Sequence, residues 1–308
     1  MSEADSYVHS VARMGTVIAI RLVGERALSQ GKNVLDASVR RAVAWFDEVE
    51  ATCSRFDDQS ELRRLSGQIG TPVRVSAILF QAVQFALEVA EETNGAFDPT
   101  VGLMMEANGF DRHYRTGQIL RTPVVKESRS ASYRDVRLDP AARSITLRRP
   151  LLLDLGAVAK GLAVDLAVRE LQPFENFMVD AGGDLYLAGH NAEGEPWSVG
   201  IRHPRDPSAL IDTLLVSDAA VCTSGDYERI EPERGGHHLM DPRGGRPATA
   251  VASATVIAPT AMMADALATA AFVLGPEDGL RFLERSEVDG LIVTPALEQF
   301  MTPGLHDE

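Results

Sequence analysis

The stretch that most constrains the fold is residues 254 to 275, which read ATVIAPTAMMADALATAAFVLG. It starts with a β-branched apolar run that ends at Pro259, and it continues as a segment rich in alanine, leucine and methionine. This pattern predicts a strand, a turn and then a buried helix. We expect the rest of the chain to be organised around this unit.

Two polar side chains interrupt the apolar helix. Asp265 and Thr269 are four residues apart, so on a helix they lie on one face about one turn apart. A carboxylate and a hydroxyl that point to one place are oxygen ligands of the kind that hard cations prefer. Because a buried aspartate needs a partner, the stretch indicates one of two roles. Either a cation binds here, or Asp265 bonds the turn at Pro259 and Thr269 bonds carbonyls of its own helix.

Composition limits the class of protein. With 308 residues, 45% of them hydrophobic, the chain can bury a large core as one large domain or two closely packed ones. The net charge is −14 and no run of lysine and arginine occurs, so we expect no nucleic-acid partner. Cys53 and Cys222 cannot form a disulfide framework and lack the spacing of a zinc site. The first residues are acidic and polar and no apolar run reaches about 18 residues, which indicates no signal peptide, no membrane segment and a cytoplasmic protein.

Periodicity and turn residues predict the remaining elements. Long amphipathic helices are expected at residues 33 to 54 and 76 to 93, with a short helix capped by Ser60 between them. Strands are expected at 14 to 23, 176 to 189 with a break at Ala181-Gly182-Gly183-Asp184, 197 to 204 and 211 to 217, a hairpin at 133 to 149, and a surface segment at 111 to 132. Frequent strand-to-strand connections predict an α+β fold in which antiparallel sheets pack against the long helices.

A polar junction follows the second long helix. Phe97 and Asp98 come directly after the helix-ending Asn94-Gly95, and Pro99 restricts Asp98 to an extended backbone. The junction presents an aromatic ring and a carboxylate from a fixed backbone. It indicates either a ligand contact or a helix end with a buried phenylalanine.

Residues 151 to 171, LLLDLGAVAKGLAVDLAVREL, form a second such junction. A short apolar strand ends at Asp154, a turn containing Gly156 follows, and a helix is expected to begin near Lys160. Free N–H groups, the helix dipole and a lysine suit an anionic oxygen at this point. The pattern is not a Walker loop, because the G-x-x-x-x-G-K-[ST] sequence is absent.

A histidine pair precedes the tight loop that begins at Asp241. Adjacent residues of a strand face opposite ways, and no cysteine or third histidine lies at ligand spacing, so His237 and His238 do not indicate a zinc site. We expect His237 to be a loop residue facing solvent. One member of the pair is a candidate general base.

Eight motifs in sequence order carry a family resemblance: MGT at 14 to 16, SRFDDQSEL at 54 to 62, AFDPTVG at 96 to 102, DLGAVAKGLAVD at 154 to 165, AGGD at 181 to 184, TSGDYER at 223 to 229, HHLMDPRGGRP at 237 to 247 and TVIAPTAMMADALATAAFVLG at 255 to 275. The chain resembles the FAD:protein FMN transferase family, also called ApbE, from about residue 11 to residue 294. The resemblance implies one domain over residues 1 to 308 with a T-fold-related α+β architecture.

The resemblance also implies site residues. Mg²⁺ would be held by the backbone carbonyl of Ala157 together with the side chains of Asp265 and Thr269. The flavin pocket would be formed by Met14, Phe56, Ala96, Phe97, Asp98, Lys160 and Leu239. Phe56 stands where relatives commonly have tyrosine, so its ring would still stack on the flavin but would offer no hydroxyl group.

The activity that the resemblance implies is transfer of FMN from FAD to a threonine or serine of an acceptor protein, with release of AMP. His238 would accept the hydroxyl proton near its ordinary pKa, and Asp98 or Asp184 are alternative bases. Two other functions fit the same residues. One is a Mg²⁺-dependent FAD diphosphatase, in which water replaces the acceptor, and the other is a non-catalytic FAD-binding protein. Relatives are often exported lipoproteins, and this chain departs from that pattern because it has no signal and no lipobox cysteine near its start. We therefore expect either that the protein acts in the cytoplasm or that the start of the sequence was trimmed.

Overall fold

A computed structural model describes residues 6–122, 131–231 and 236–305 of the chain. The strands are β1 (Ser6–Arg13), β2 (Thr16–Val23), β3 (Val73–Arg74), β4 (Val136–Asp139), β5 (Ser144–Leu147), β6 (Asn176–Ala181), β7 (Leu185–Ala188), β8 (Trp197–Arg202), β9 (Leu210–Val216), β10 (Ala219–Gly225), β11 (Ile230–Glu231), β12 (Gly236–His237), β13 (Met240–Asp241), β14 (Arg246–Pro247), β15 (Ser253–Ala258), β16 (Asp289–Val293) and β17 (Gln299–Met301). The helices are α1 (Glu25–Leu28), α2 (Lys32–Cys53), α3 (Glu61–Ser66), α4 (Ala77–Glu92), α5 (Gly102–Ala107), α6 (Gly156–Leu171), α7 (Ala261–Leu274) and α8 (Pro276–Arg285), with single 3₁₀ turns at Tyr133–Asp135 and Pro303–Leu305.

A main sheet of eight strands, in the order β1-β2-β6-β7-β10-β15-β16-β17, organises the described part of the chain. Every neighbouring pair in it is antiparallel. Helices α2, α6 and α7 lie together on one face, where Ile18, Ile20 and Leu22 of β2 point into the larger core. Phe46 of α2 and Phe272 of α7 are fully buried in that core.

The other face of the sheet is also covered. The hairpin of β8 and β9 packs over its centre, and Trp197 of β8 belongs to a second core with Val221, Leu291 and Val293 of the main sheet. Because side chains alternate along a strand, β10 sends Val221 to this second core and Cys222 to the first. The central strands are therefore buried on both faces.

Most predicted elements are found. The predicted helices at 33 to 54 and 76 to 93 are α2 and α4, and the predicted strand, turn and helix at 254 to 275 are β15 and α7. Ser60 caps α3 by accepting the Arg63 N–H, and Ser76 caps α4 by accepting the Leu79 N–H. The hairpin at 133 to 149 is β4 and β5, which form a small sheet with β3. The α+β prediction with antiparallel sheets is confirmed, and within the described ranges no helix is both long and apolar enough to cross a membrane.

Two predicted boundaries are wrong. Residues 14 to 23 are not the first strand, because β1 precedes them and Met14-Gly15 is the two-residue turn that joins β1 to β2. Helix α6 begins at Gly156 rather than near Lys160, since the Asp154 carboxylate accepts the Gly156 N–H and starts the helix one turn earlier. Of the predicted surface segment at 111 to 132, residues 123–130 lie outside the described ranges.

Helices α6 and α7 approach each other closely at Gly161. A Cβ on Gly161 would lie 2.3 Å from the carbonyl oxygen of Ala261, which is backbone and cannot turn aside. Glycine at this point of α6 is therefore required by the packing of the two helices rather than by the helix itself, since glycine is a poor helix former.

We predict that Gly161→Ala forces α6 and α7 apart and lowers the free energy of unfolding by about 1–3 kcal/mol, the usual cost of overpacking. Gly67→Ala is the control, because the nearest atom to its added Cβ is the Arg64 carbonyl oxygen at an ordinary 3.5 Å. Urea denaturation of the wild type and both variants measures the change in unfolding free energy for each substitution. Equal midpoints for the two variants would contradict the assignment of a tight helix contact.

Candidate active site

A single cavity of about 1100 Å³ brings together the residues that the sequence selected. It lies where α6, α7, the end of β10, the β6–β7 connection and the segments around residues 14, 56, 97 and 238 meet. The predicted residues that line it are Met14, Phe56, Ala96, Phe97, Asp98, Ala157, Lys160, Asp184, His238, Leu239, Asp265 and Thr269. Residues from distant parts of the chain thus share one site, although their contacts differ from the expectations in several places.

The cavity is lined by a buried carboxylate that has one oxygen without a hydrogen bond among the described residues. Asp265 is 6% exposed, and its Oδ2 atom has no hydrogen bond among the described residues. The nearest cation is the Lys160 ammonium, whose Nζ lies 3.6 Å from that oxygen and also hydrogen-bonds Asp184. A buried carboxylate oxygen left without a donor is costly, which indicates that this position accommodates a ligand.

Thr269 has a partner that the sequence did not suggest. Its Oγ1 atom lies 3.0 Å from Oγ of Ser224, near the end of β10, and within the described ranges it makes no hydrogen bond to a carbonyl of its own helix. The turn at Pro259 is likewise not held by Asp265, since Thr260 caps α7 there. The purely structural interpretation of this helix therefore does not match the contacts of either residue.

The donor set fits a magnesium ion. Within the parts of the chain that the structure describes, no cluster of three or more His, Cys, Asp and Glu side chains is placed to hold a metal. Ala157 lies in the first turn of α6 and lines the same cavity as Asp265 and Thr269. One carboxylate, one hydroxyl and one carbonyl suit Mg²⁺, which usually completes its shell with phosphate oxygens and water.

A buried ion pair holds the beginning of α6. The Arg55 Nε donates to Oδ2 of Asp154 at 2.5 Å, while Oδ1 accepts the Gly156 N–H at 2.8 Å. Burial by itself raises the pKa of Asp154, but the Arg55 cation and the Gly156 N–H hold that pKa below its ordinary value. The guanidinium also lies 4.0 Å from the ring centroid of Phe56, which lines the cavity. Arg55 thus supports both the helix start and the aromatic wall.

Asp98 is engaged by the protein itself. Its Oδ1 accepts the N–H and the hydroxyl of Thr100, and its Oδ2 accepts the Tyr133 N–H at 3.1 Å. Burial raises its pKa above the ordinary value, and these hydrogen bonds oppose the rise. A carboxylate with three donors shapes the cavity wall beside Phe97 and is less suited to accept a proton from a substrate.

The turn of Met14 and Gly15 enters the cavity with an uncommon backbone. Both residues have positive φ, +50° for Met14 and +78° for Gly15, as in the turns that join two strands directly. Positive φ is unusual for methionine and tends to be retained at functional sites. The side chain of Tyr114 packs against Gly15, and its hydroxyl donates to Glu50 at the rim.

His238 lies in the cavity with one ring nitrogen anchored. Nδ1 is 3.3 Å from the Glu228 carbonyl, which can only accept, so this bond places the proton on Nδ1 and leaves Nε2 as the basic nitrogen. Burial, with a smaller contribution from the Arg229 cation, lowers the pKa of His238 to about 3. The expectation of an ordinary pKa near neutrality is therefore wrong, and the ring is neutral at pH 7.

His237 is buried, so the expectation that it faces solvent is wrong. Its ring packs edge-on against Phe272 of α7 at 5.5 Å between centroids, and Nδ1 accepts the Leu239 N–H. The two histidines face opposite ways, as expected for neighbours at a strand. His237 anchors the segment to the core, and His238 faces the cavity.

Sequence reasoning missed two residues of the site, Arg55 and Ser224. Each stands inside a motif of the family resemblance, SRFDDQSEL for Arg55 and TSGDYER for Ser224. An arginine just after a helix end and a serine at a strand end carry little signal alone. Only their distant partners, Asp154 and Thr269, reveal what they do.

Comparison with known proteins identifies the family of the chain. A family model described as the ApbE family matches residues 14–292. The chain belongs to the ApbE family. The FAD:protein FMN transferase of Treponema pallidum is 33% identical over 322 residues, which is 96% of this chain and 86% of that protein.

Solved ApbE structures share the fold. The ApbE protein of Thermotoga maritima is 30% identical, covers 98% of both chains and superposes with a TM-score of 0.84. The flavin transferase ApbE from Vibrio cholerae is 26% identical, also covers 98% of both chains and has a TM-score of 0.82. The family and fold predictions are both confirmed.

We predict that Arg55→Met lowers the free energy of unfolding by about 3–5 kcal/mol, because it leaves the buried Asp154 carboxylate without its counter-ion. The ion-paired Asp154 has a lowered pKa, so its stabilisation is present above about pH 4 and is lost as the pH falls through the folded-state pKa. The difference in unfolding free energy between the wild type and the variant should therefore become smaller in acid.

Denaturant titrations at several pH values measure this difference. Arg281→Met is the matched control, since Arg281 pairs with Asp278 at the exposed surface and its removal should cost less than about 1 kcal/mol. If Arg55→Met lowered the free energy of unfolding as little as the control does, a structural role for the pair of Arg55 and Asp154 would be contradicted.

Proposed function

We propose that this ApbE-family chain is a Mg²⁺-dependent transferase that moves FMN from FAD onto a threonine or serine hydroxyl of an acceptor protein and releases AMP. The observation that carries the proposal is the buried Oδ2 atom of Asp265, which has no hydrogen bond among the described residues and lines the same cavity as Thr269 and Ala157. The names of the relatives, FAD:protein FMN transferase, support the flavin substrate and the protein acceptor.

The proposed reaction is a substitution at phosphorus. The acceptor oxygen bonds to the phosphorus on the FMN side of FAD, and the phosphoanhydride bond to the AMP oxygen breaks. AMP leaves with that electron pair, and FMN stays on the acceptor as a phosphoester. When bound, Mg²⁺ would neutralise charge on the diphosphate oxygens and hold the reacting phosphorus in place.

The chain's own residues would position the diphosphate. The Lys160 ammonium, which contacts Asp184 and lies near Asp265, supplies a positive charge beside the proposed metal ligands. Helix α6 begins at the cavity, so the positive end of its dipole also favours an anion there. Phe56 and Phe97 offer aromatic surface for the flavin in the same cavity.

His238 is the proposed base. Its neutral ring leaves Nε2 free to accept the hydroxyl proton, although a pKa of about 3 makes the ring a weak base in the free protein. The negative charge of a bound diphosphate would raise that pKa, since a nearby anion favours the protonated ring. Asp184 bonds Lys160 and Asp98 accepts three donors, so both alternative carboxylates are already engaged.

One incubation separates the candidate functions. The protein is mixed with FAD, Mg²⁺ and a flavin-accepting domain, and the products are examined by in-gel flavin fluorescence and by chromatography of nucleotides. Fluorescence on the acceptor band together with free AMP supports the transferase. Free FMN and AMP without a labelled band would indicate a diphosphatase, and unchanged FAD would indicate a binding protein.

We predict that Asp265→Ala abolishes transfer in this assay while the protein stays folded, because Asp265 is the only carboxylate among the three proposed metal ligands. Circular dichroism and thermal melting check the fold, and EDTA added to the wild type should give the same loss. Full activity of Asp265→Ala in excess EDTA would overturn the metal assignment.

We predict that His238→Ala lowers the transfer rate by about 10²- to 10⁴-fold, the usual contribution of a general base, with little change in FAD affinity. His237→Ala should instead lower stability more than rate, since its ring packs on Phe272. Stopped-assay rates, flavin fluorescence titrations and melting curves separate the two effects. Equal rate losses at both positions, or loss of FAD binding in His238→Ala, would overturn the base assignment and leave Asp98 or Asp184 as the candidate.

The pH profile gives an independent check on His238. A protonated ring cannot accept a proton, so the rate falls as the pH drops through the histidine pKa. Because that pKa is about 3, kcat/KM measured at saturating Mg²⁺ should persist to about pH 5 without the fall near pH 6.5 that an ordinary histidine would give.

A further inference from the structure

Helix α7, which carries Asp265 and Thr269, is held at its start by a carboxylate from another helix. Oδ1 of Asp165 on α6 accepts the Ala261 N–H at 2.7 Å, and Oδ2 accepts the Met262 N–H at 3.0 Å. The hydroxyl of Thr260 accepts the next N–H, that of Met263. The first three N–H groups of α7 are thereby satisfied, and two of them depend on Asp165.

The two helices are also in close contact nearer the start of α6. Gly161 lies one turn before Asp165 on α6, and its missing Cβ allows the backbone of Ala261 to approach. The residue before it, Lys160, reaches Asp265, one turn into α7. Gly161 and Asp165 therefore both contact the first residues of α7, while the Lys160 side chain reaches one turn further along it.

Residues of both helices recur at every fourth position. On α6 these are Ala157, Gly161 and Asp165, and on α7 they are Ala261, Asp265 and Thr269. Residues four apart lie on one face of a helix. Asp165 lies about 12 Å along α6 from Ala157, whose carbonyl is one of the proposed metal ligands.

We propose that Asp165 is a positioning residue that fixes the axial register of α7 against α6 and so brings Asp265 and Thr269 to the carbonyl of Ala157. The inference rests on the proposed metal site. A bidentate bond to two consecutive N–H groups resists sliding of α7 along its axis, while the apolar contacts between the helices are less directional. Mg²⁺ requires near-ideal octahedral geometry, so a small shift in register would weaken its binding.

Asp165 acts as an anion under ordinary conditions. Burial raises its pKa to about 6, against the opposing effect of the two N–H groups, so the carboxyl is ionised at pH 8. Both oxygens then accept. In Asp165→Asn the side-chain amide group would face one of the two N–H groups as a second donor, so that one of the bonds is removed while the shape of the side chain is kept.

Manganese binding tests the proposal without measuring activity. Mn²⁺ is titrated at pH 8 into each variant saturated with FAD, in the absence of an acceptor, and free Mn²⁺ is followed by electron paramagnetic resonance. Asp165→Ala should weaken Mn²⁺ binding by about 10- to 100-fold and Asp165→Asn by about 10-fold, the range found for groups that orient metal ligands. Affinity for FAD without metal should change by less than about twofold, and a high Mn²⁺ concentration should restore the transfer rate.

Ser76→Ala is the matched control, because it removes a helix N-cap from α4, away from the cavity. It should lower the melting temperature and leave Mn²⁺ affinity unchanged. Wild-type Mn²⁺ affinity in folded Asp165→Asn would overturn the positioning role and leave the proposed function intact. If instead Asp265→Ala binds Mn²⁺ as the wild type does, the metal site itself is wrong, and the positioning role fails with it.

Discussion

The site depends on the close packing of α6 against α7. Burying Asp184 and Asp265 beside Lys160 costs free energy, because the charged groups lose their contacts with water. The attraction between the buried charges offsets only part of this desolvation cost. The apolar faces of the two helices and the sheet beneath them offset this cost. Gly161 lets the backbones come near enough for side chains on one helix to reach those on the other. If α6 and α7 were further apart by the width of one methyl group, the same side chains would lie too far from one another to make these contacts.

The elements that could be predicted are those whose signal is local. Helix α4 has a strong apolar periodicity and a serine cap, and β15 with α7 follows from β-branched residues, a proline and an alanine-rich run. The hairpin turn at Met14 was missed because methionine rarely adopts positive φ and therefore does not mark a turn. The start of α6 was misplaced because it depends on the pairing of Asp154 with Arg55, which lies 99 residues away in the chain.

The sequence predicted which residues would line one cavity, but it predicted their protonation and burial only in part. Motifs of the ApbE family select residues that line one cavity, because the motifs contain the side chains themselves. Protonation and burial depend on neighbours from other segments. The low pKa of His238 depends on its burial and on Arg229, and the burial of His237 depends on Phe272. None of these pairings follows from spacing along the chain.

The sheet covered on both faces has a consequence for how the cavity moves. Strand β10 pairs with β7 and β15, has one core on each side, and carries Ser224 near its end, beside Thr269. Backbone amides of such strands exchange with solvent only through near-global opening, whereas loops exchange through local fluctuations. We therefore expect β10, which lies beneath the cavity, to be among the slowest-exchanging parts of the described chain. Motions that open the cavity would then come from the turns and loops around it.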